Sequence, residues 1–217
     1  MSNSKSKVAV IGLGNIGKVV AANLVKGNRE VIVASQKLED AKALANQLGS
    51  LAKAADVPAA IKEADIVVMA VWFNTIQELF KQYATELKGK IIVDPSNPIA
   101  PDGNGGFKKI IDAQESAGQI LAGLLPGGAK LVKALGSLSA GSLESAAHRK
   151  IDPAVLFYAT ADEGINPTIE ELIKDNGFDP VRVGGIDQSI RIEVFGDLHE
   201  FGALGKTVTR AELKQPI

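Results

Sequence analysis

An apolar run at Lys7–Ile11 leads directly into Gly12-Leu13-Gly14-Asn15-Ile16-Gly17, and behind it Ile16, Val19, Val20 and Leu24 share one helical face. That order, strand then G-x-G-x-x-G then amphipathic helix, restricts the chain more than any other feature it carries. Each glycine has a physical task. Gly12 permits the tight turn out of the strand, Gly14 lets backbone approach a ligand with no Cβ between them, and Gly17 lets the helix pack close to the strand. The free N–H groups and positive dipole end of such a helix suit a pyrophosphate. A second apolar run, Glu30–Ala34, follows at the spacing of a strand–helix–strand unit. A dinucleotide site at Gly12, Leu13, Gly14, Asn15, Ile16 and Gly17 is the reading, against a purely structural glycine turn.

The same rhythm continues. Apolar, β-branched runs recur at Ile66–Val71, Lys90–Asp94, Lys130–Leu135, Val155–Ala159 and Val181–Val183, with helical patterns between most of them. One helical stripe joins Leu38, Ala41, Leu44 and Leu48, and another joins Ile76, Leu79, Phe80, Tyr83 and Leu87. Gly27, Gly49, Gly89 and Gly177 stand where helices should end in a left-handed residue. Asn74 with Gln77, and Asn166 with Pro167, read as helix starts. Nearly continuous apolar strands alternating with single helices predict an α/β fold of Rossmann type: a doubly wound, mostly parallel sheet with helices on both faces. The expected division is a nucleotide-binding domain over 1–184 and a C-terminal tail, 185–217, packing on the same domain or at a dimer interface. Residues 96–109, rich in Pro and Gly, read as a long irregular loop, either beside a site or a plain surface excursion.

Composition removes several classes of function. With 24 basic and 25 acidic side chains in 217 residues there is no basic excess to hold a nucleic acid or an anionic membrane. Cysteine is absent, which excludes disulfides, thiolate nucleophiles and cysteine-ligated metals, and two histidines cannot make a His-rich metal site. The longest apolar run, Ile66–Phe73, has eight residues, against the ~20 a membrane helix needs. Met1–Lys7 lacks the apolar core of a signal peptide. A cytoplasmic protein acting on small molecules is the expectation.

The end of the second strand decides between nicotinamide cofactors. Enzymes that prefer NAD usually place a carboxylate there for the ribose 2′-hydroxyl, and here the sequence reads Ala34-Ser35-Gln36-Lys37. With nothing to repel a 2′-phosphate and three side chains able to donate to one, NADP is favoured. For Lys37 the alternative is a solvated lysine at a helix start. Ligands of open α/β sheets lie outside the carboxyl ends of the strands, which adds Ala70, Val71, Trp72, Asn97 and Pro98. Trp72 and Phe73 either shelter a cofactor ring or pack between elements. The Asn97 amide either addresses the cofactor or serves ordinary turn chemistry.

Taken together, these residues resemble the deazaflavin-dependent NADP reductases, the 8-hydroxy-5-deazaflavin:NADPH oxidoreductases. The similarity is carried by Val8–Gly17, Val31–Gln36, Asp65–Val71, Asp94-Pro95-Ser96-Asn97-Pro98 and Leu131–Gly136. Its later part runs through Phe157–Thr160, Asn176–Val181 and Gly184-Gly185. The resemblance implies NADP(H) along the glycine turn, at Ser35 and Gln36, and beside Ala70, Val71, Asn97 and Pro98. It also implies an 8-hydroxy-5-deazaflavin or a flavin as co-substrate, and a homodimer. The chain departs from the family at Gln36, commonly Arg, at Ala134-Leu135-Gly136-Ser137, and in the 202–210 tail.

Hydride exchange between two redox rings asks for positioning rather than acid–base groups, and no triad or dyad is visible. No catalytic side chain is therefore assigned. His199, between Asp197 and Glu200, is either a titratable group near the acceptor or a surface or interface residue. His148 reads as a cation at a helix end, and Arg191 with Glu193 either as a structural pair or as a contact to an acidic acceptor. The spacing of Phe195, Leu198, Phe201 and Leu204 suggests a dimer contact. The predicted function is NADPH-dependent hydride transfer to a small-molecule redox acceptor; the alternative is a non-catalytic NADP-binding sensor.

Overall fold

In the first strand, β1 (Val8–Ile11), successive side chains enter two different cores, Val8 and Val10 on one face and Ala9 and Ile11 on the other. Period-two alternation with both faces apolar is what a central strand of a covered sheet requires. The computed structural model describes residues 5–213 and places β1 inside a sheet of eight strands. They are β1, β2 (Val31–Ala34), β3 (Ala52–Ala55), β4 (Ile66–Met69), β5 (Ile91–Asp94), β8 (Lys130–Ala134), β9 (Val155–Thr160) and β10 (Asp179–Gly184). Their spatial order is β10-β9-β8-β5-β4-β1-β2-β3. All neighbours pair in parallel except β8 and β9, so the last two strands run against the other six. The chain is a Rossmann-type α/β domain.

Helices α1 (Asn15–Lys26), α2 (Leu38–Leu48), α6 (Ala140–Ala146) and α7 (Asn166–Asp175) cover one face. Helices α3 (Val57–Glu63), α4 (Phe73–Gln82) and α5 (Ala117–Gly123) cover the other. Val20, Leu24, Ile76, Ile169 and Leu172 are fully buried, as the helical stripes require; each such side chain contributes roughly 1.5–3 kcal/mol. Beyond residue 185 the chain packs on the outer strands, with Ile192, Leu198 and Val208 against Val155, Phe157, Val181 and Val183.

Several local expectations are corrected. Residues 96–109 are not irregular throughout, because β6 (Ile99–Pro101) and β7 (Phe107–Lys109) form an antiparallel hairpin. Its turn is held by Asp102, which accepts from the N–H groups of Asn104 and Gly106. The Ile76–Leu87 stripe is not one helix: α4 stops at Gln82 and is preceded by Trp72, so Asn74 lies inside it and caps nothing. Helix α7 includes Asn166, because a short helical turn capped by Asp162 leads into it. Gly49, Gly89 and Gly177 have positive φ, whereas Gly27 does not (φ −80°). Close packing explains Gly27 instead, since a Cβ there would lie 1.9 Å from the Asp175 carbonyl oxygen.

Candidate functional site

Strand β1 pairs with β2 on one side and β4 on the other, so the chain order reverses between β1 and β4, and ligands of open α/β sheets bind at such a point. The glycine turn stands there. Gly12 has φ +92°, and a Cβ on it would lie 2.5 Å from the Ala70 carbonyl oxygen; one on Gly17 would lie 1.9 Å from the Gly12 oxygen. These two glycines lock the turn to the end of β4. Gly14 differs, because a Cβ there would meet nothing within 4 Å. It precedes α1 with no side-chain cap and no acidic residue in the helix's first turn. The leading N–H groups of a twelve-residue helix thus face open space, a cradle that fits a diphosphate.

That open space belongs to a cavity of about 820 Å³ along the carboxyl ends of β1, β4, β5 and β8. Of the residues expected from the sequence, Gly12, Gly14, Asn15, Ile16, Gln36, Ala70, Val71, Trp72 and Asn97 line it. Leu13, Gly17, Ser35, Lys37 and Pro98 do not. Gly17 acts by packing. Ser35 donates its hydroxyl to the Lys37 carbonyl at 2.7 Å, closing the turn after β2. Glu39 pairs with Lys42 at 2.9 Å, which leaves the Lys37 ammonium without an ion pair among the described residues. Trp72 is 60% exposed at the cavity edge and is no core residue, whereas Phe73 is buried.

Asn97 is used differently from the expectation that its amide faces a ligand. Its Nδ2 donates to the Gly136 carbonyl at 3.0 Å, and its Oδ1 accepts from the Val194 N–H at 2.7 Å. Both ends of the amide are therefore committed to backbone. His199 is likewise no surface residue: it is 2% exposed, and its Nε2 meets the same Gly136 carbonyl at 3.0 Å. Its Nδ1 accepts from the Phe201 N–H at 3.0 Å, which fixes the proton on Nε2. Burial lowers its pKa against the weaker opposing pull of the Gly136 carbonyl, so the ring is neutral. Glu200 accepts from the Ser139 N–H and donates its own N–H to the Ser137 carbonyl at 3.1 Å. Anchors at Val194, His199 and Glu200 thus fasten the tail to the segments after β5 and β8, and Val194, Phe195 and Phe201 become cavity wall.

Beneath this wall lies a pair that the sequence reading missed. Lys133 on β8 donates to Asp94 Oδ2 at 2.8 Å and to the Ser96 carbonyl, while Asp94 Oδ1 accepts from the Ser96 N–H at 2.7 Å. Both side chains are buried. A lone lysine inside the apolar run Lys130–Leu135 was the available signal, because a central strand tolerates such a charge only when it is paired. Arg191 and Glu193 do not pair. Arg191 binds Asp197 at 2.9 Å, and Glu193 accepts from the N–H groups of Ala117 and Gly118. His148 joins the Asn23 carbonyl through Nε2 at 2.9 Å, tying the loop after α6 to α1. Among the described residues no group of three or more metal-ligating side chains is present, and no helix is long and apolar enough to cross a membrane.

Comparison with known proteins agrees with this geometry. Residues 7–98 match the family described as NADP oxidoreductase, coenzyme F420-dependent. The F420-dependent NADP reductase of Methanocaldococcus jannaschii is 25% identical over 203 residues, 88% of this chain and 90% of the relative. The chain resembles the F420-dependent NADP reductases. The enzyme of that name from Methanothermobacter thermautotrophicus is also 25% identical, over 86% of this chain and 84% of its own length. A crystal structure of a Sinorhizobium meliloti protein superimposes with a TM-score of 0.83 at 26% identity, covering 96% of this chain and 98% of the other. The similarity to these reductases therefore extends well beyond the glycine turn, over 86–88% of the chain.

Proposed function

We propose that the protein is an NADP(H)-dependent oxidoreductase that passes hydride between NADP(H) and a deazaflavin, a flavin or a related redox ring. The observation that carries this reading is a single cavity joining the uncapped start of α1 to an apolar wall built by the tail. Gly12, Gly14, Asn15 and Ile16 hold the diphosphate on backbone N–H groups, Gln36 receives the 2′-phosphate with the Lys37 ammonium reaching in from the turn that Ser35 closes, and Ala70, Val71 and Trp72 border the nicotinamide half. Asn97 acts through position, holding Val194 and Gly136 in register.

The nicotinamide supplies the hydride; the chain supplies orientation and exclusion of water. Proton transfer is left to solvent, because the Nε2 proton of His199 is committed to Gly136 and no other titratable side chain lines the cavity. The tail lines this space and leaves it open, which favours an enzyme over a sensor whose tail fills its own cleft. The residues that suggested a dimer are otherwise engaged, Leu198 in the outer core and Phe195 and Phe201 at the cavity, so a homodimer rests on family resemblance; sedimentation tests it.

The test is anaerobic oxidation of NADPH by purified protein with deazaflavin coenzyme, FMN, FAD and a ferric chelate in parallel, with NADH as control donor. Selective turnover of NADPH with one acceptor supports the reading. Tight NADPH binding with no acceptor reduced favours the sensor.

A further inference from the structure

Across the sheet, level with the carboxyl end of β1, runs a row of side chains on one face. Ile11 stands between Ala34 and Met69. Beyond Met69 come Asp94 and Lys133, opposite each other on β5 and β8, and Ala159 faces Lys133 from β9. All six are buried, and only Asp94 and Lys133 are polar. A buried ion pair carries a desolvation cost that an apolar pair of similar volume avoids, so the fold alone gives no reason for one at this place.

The contacts of the pair lead out of the core toward the cavity. Asp94 Oδ1 accepts the Ser96 N–H at 2.7 Å, Lys133 donates to the Ser96 carbonyl, and the two side chains meet at 2.8 Å. Both backbone groups of Ser96 are thereby held by side chains. The aspartate alone would cap the N–H, as in ordinary Asx turns; the carbonyl needs a donor, and Lys133 supplies it.

Ser96 stands between Pro95 and Asn97, and all three line the cavity. Because β5 lies between β4 and β8, this turn separates Ala70, Val71 and Trp72, which border the nicotinamide half, from the β8 end, where the tail is fastened. Its neighbours are fixed as well: a side chain on Gly136 would run into the Pro95 carbonyl, and Asn97 joins the Gly136 carbonyl to the Val194 N–H. Lys133 lines no part of the cavity, yet it holds the turn from which Asn97 reaches the tail.

We propose that Lys133 is a positioning residue for hydride transfer: through the Ser96 carbonyl it sets the Pro95–Asn97 turn, and through Asn97 the Val194 wall, at the spacing two redox rings need. This rests on the oxidoreductase reading. Reacting atoms must stand about 3–3.5 Å apart, and a displacement of ~1 Å costs on the order of a hundredfold in rate. The glycine turn and the end of β2, which hold the diphosphate and the 2′-phosphate, make no hydrogen bond with the pair.

Asp94→Asn/Lys133→Met isolates this role, since it removes the ion pair and the donor to the Ser96 carbonyl while an amide oxygen still accepts the Ser96 N–H. Three quantities are compared with the parent. They are NADPH affinity by fluorescence titration, the single-turnover rate of NADPH oxidation by deazaflavin coenzyme and by FMN, and hydrogen exchange of the Val194 amide. In the turnover one hydride leaves the nicotinamide and one proton comes from water, giving NADP+ and the dihydro ring. The rate should fall about ten- to a hundredfold while the NADPH Kd stays within about threefold of the parent. Exchange at Val194 should quicken at least about tenfold relative to the Val10 and Val68 amides, which report global opening. Asn97→Ala breaks the same connection one link later without touching the buried pair, and should give the same three results.

Unchanged transfer or unchanged Val194 exchange in the double variant overturns the proposal, as does a fall in rate matched by an equal loss of NADPH affinity. Should the double variant not fold, Asn97→Ala decides by the same readings. If the parent reduces neither acceptor, the oxidoreductase reading fails, and Val194 exchange alone then decides whether Lys133 holds the wall: faster exchange upholds that role and unchanged exchange refutes it.

Discussion

Gly14→Ala separates binding from folding at the glycine turn. Gly14 has φ −75° and ψ −164°, accessible to alanine, and its added Cβ meets no protein atom within 4 Å. Replacing such a glycine stabilises a fold by about 0.4–1 kcal/mol, because the unfolded chain loses freedom. The same methyl group enters the cavity at the uncapped end of α1. Displacing one charge-assisted hydrogen bond to a diphosphate costs roughly 1.5–3 kcal/mol, about ten- to a hundredfold in Kd. Gly17→Ala should behave in the opposite way, since its Cβ would stand 1.9 Å from the Gly12 carbonyl oxygen and the turn must move. Overpacking of that kind costs about 1–3 kcal/mol or more. The assays are an NADPH fluorescence titration and a thermal melt of each variant. Undiminished NADPH affinity in Gly14→Ala would refute the assignment of the diphosphate to this turn, and a collapsed melting temperature would refute the packing argument.

Other consequences follow from the same contacts. Gln36→Asp puts a carboxylate at the end of β2 and should lower NADPH affinity at least about tenfold while improving NADH, by direct titration of both. Lys133→Met leaves the Asp94 charge buried alone and should cost about 3–5 kcal/mol in urea unfolding, most of it recovered in Asp94→Asn/Lys133→Met, where the Ser96 N–H keeps an acceptor. His199 is held neutral by burial, with a pKa below that of the unfolded chain. Its contribution is therefore complete above about pH 6.5, the unfolded value, and is lost as pH falls and the unfolded state takes up the proton. Melting temperatures from pH 8 to 5 should decline less steeply in His199→Gln than in the parent.

The nucleotide half was legible because its signals are local. Three glycines, a strand before them and a helix after them lie within one stretch of chain, and the structure returns the same turn at the same residues. Strand β3 escaped notice since Ala52-Lys53-Ala54-Ala55 is an edge strand of small residues with little hydrophobic pattern. The far half was not legible because it is assembled from segments remote in sequence. Asn97 and His199 meet at the Gly136 carbonyl while Asn97 Oδ1 takes the Val194 N–H, and no spacing along the chain announces that meeting. Phe195 and Phe201 carried a visible apolar pattern, yet the pattern alone does not say whether it faces a partner subunit or a cavity. Asn97 is the instructive case: its place in the turn was readable, while its role changed once both ends of its amide had backbone partners.

The most direct test of hydride transfer is a single-turnover experiment, with protein and NADPH carrying deuterium at one face of nicotinamide C4 mixed anaerobically with an acceptor ring. The account predicts loss of NADPH absorbance at the rate of ring reduction, a primary isotope effect for one face only, and far slower reaction from NADH. Bound NADPH that stays reduced beside every acceptor, or equal rates from NADPH and NADH, would contradict it.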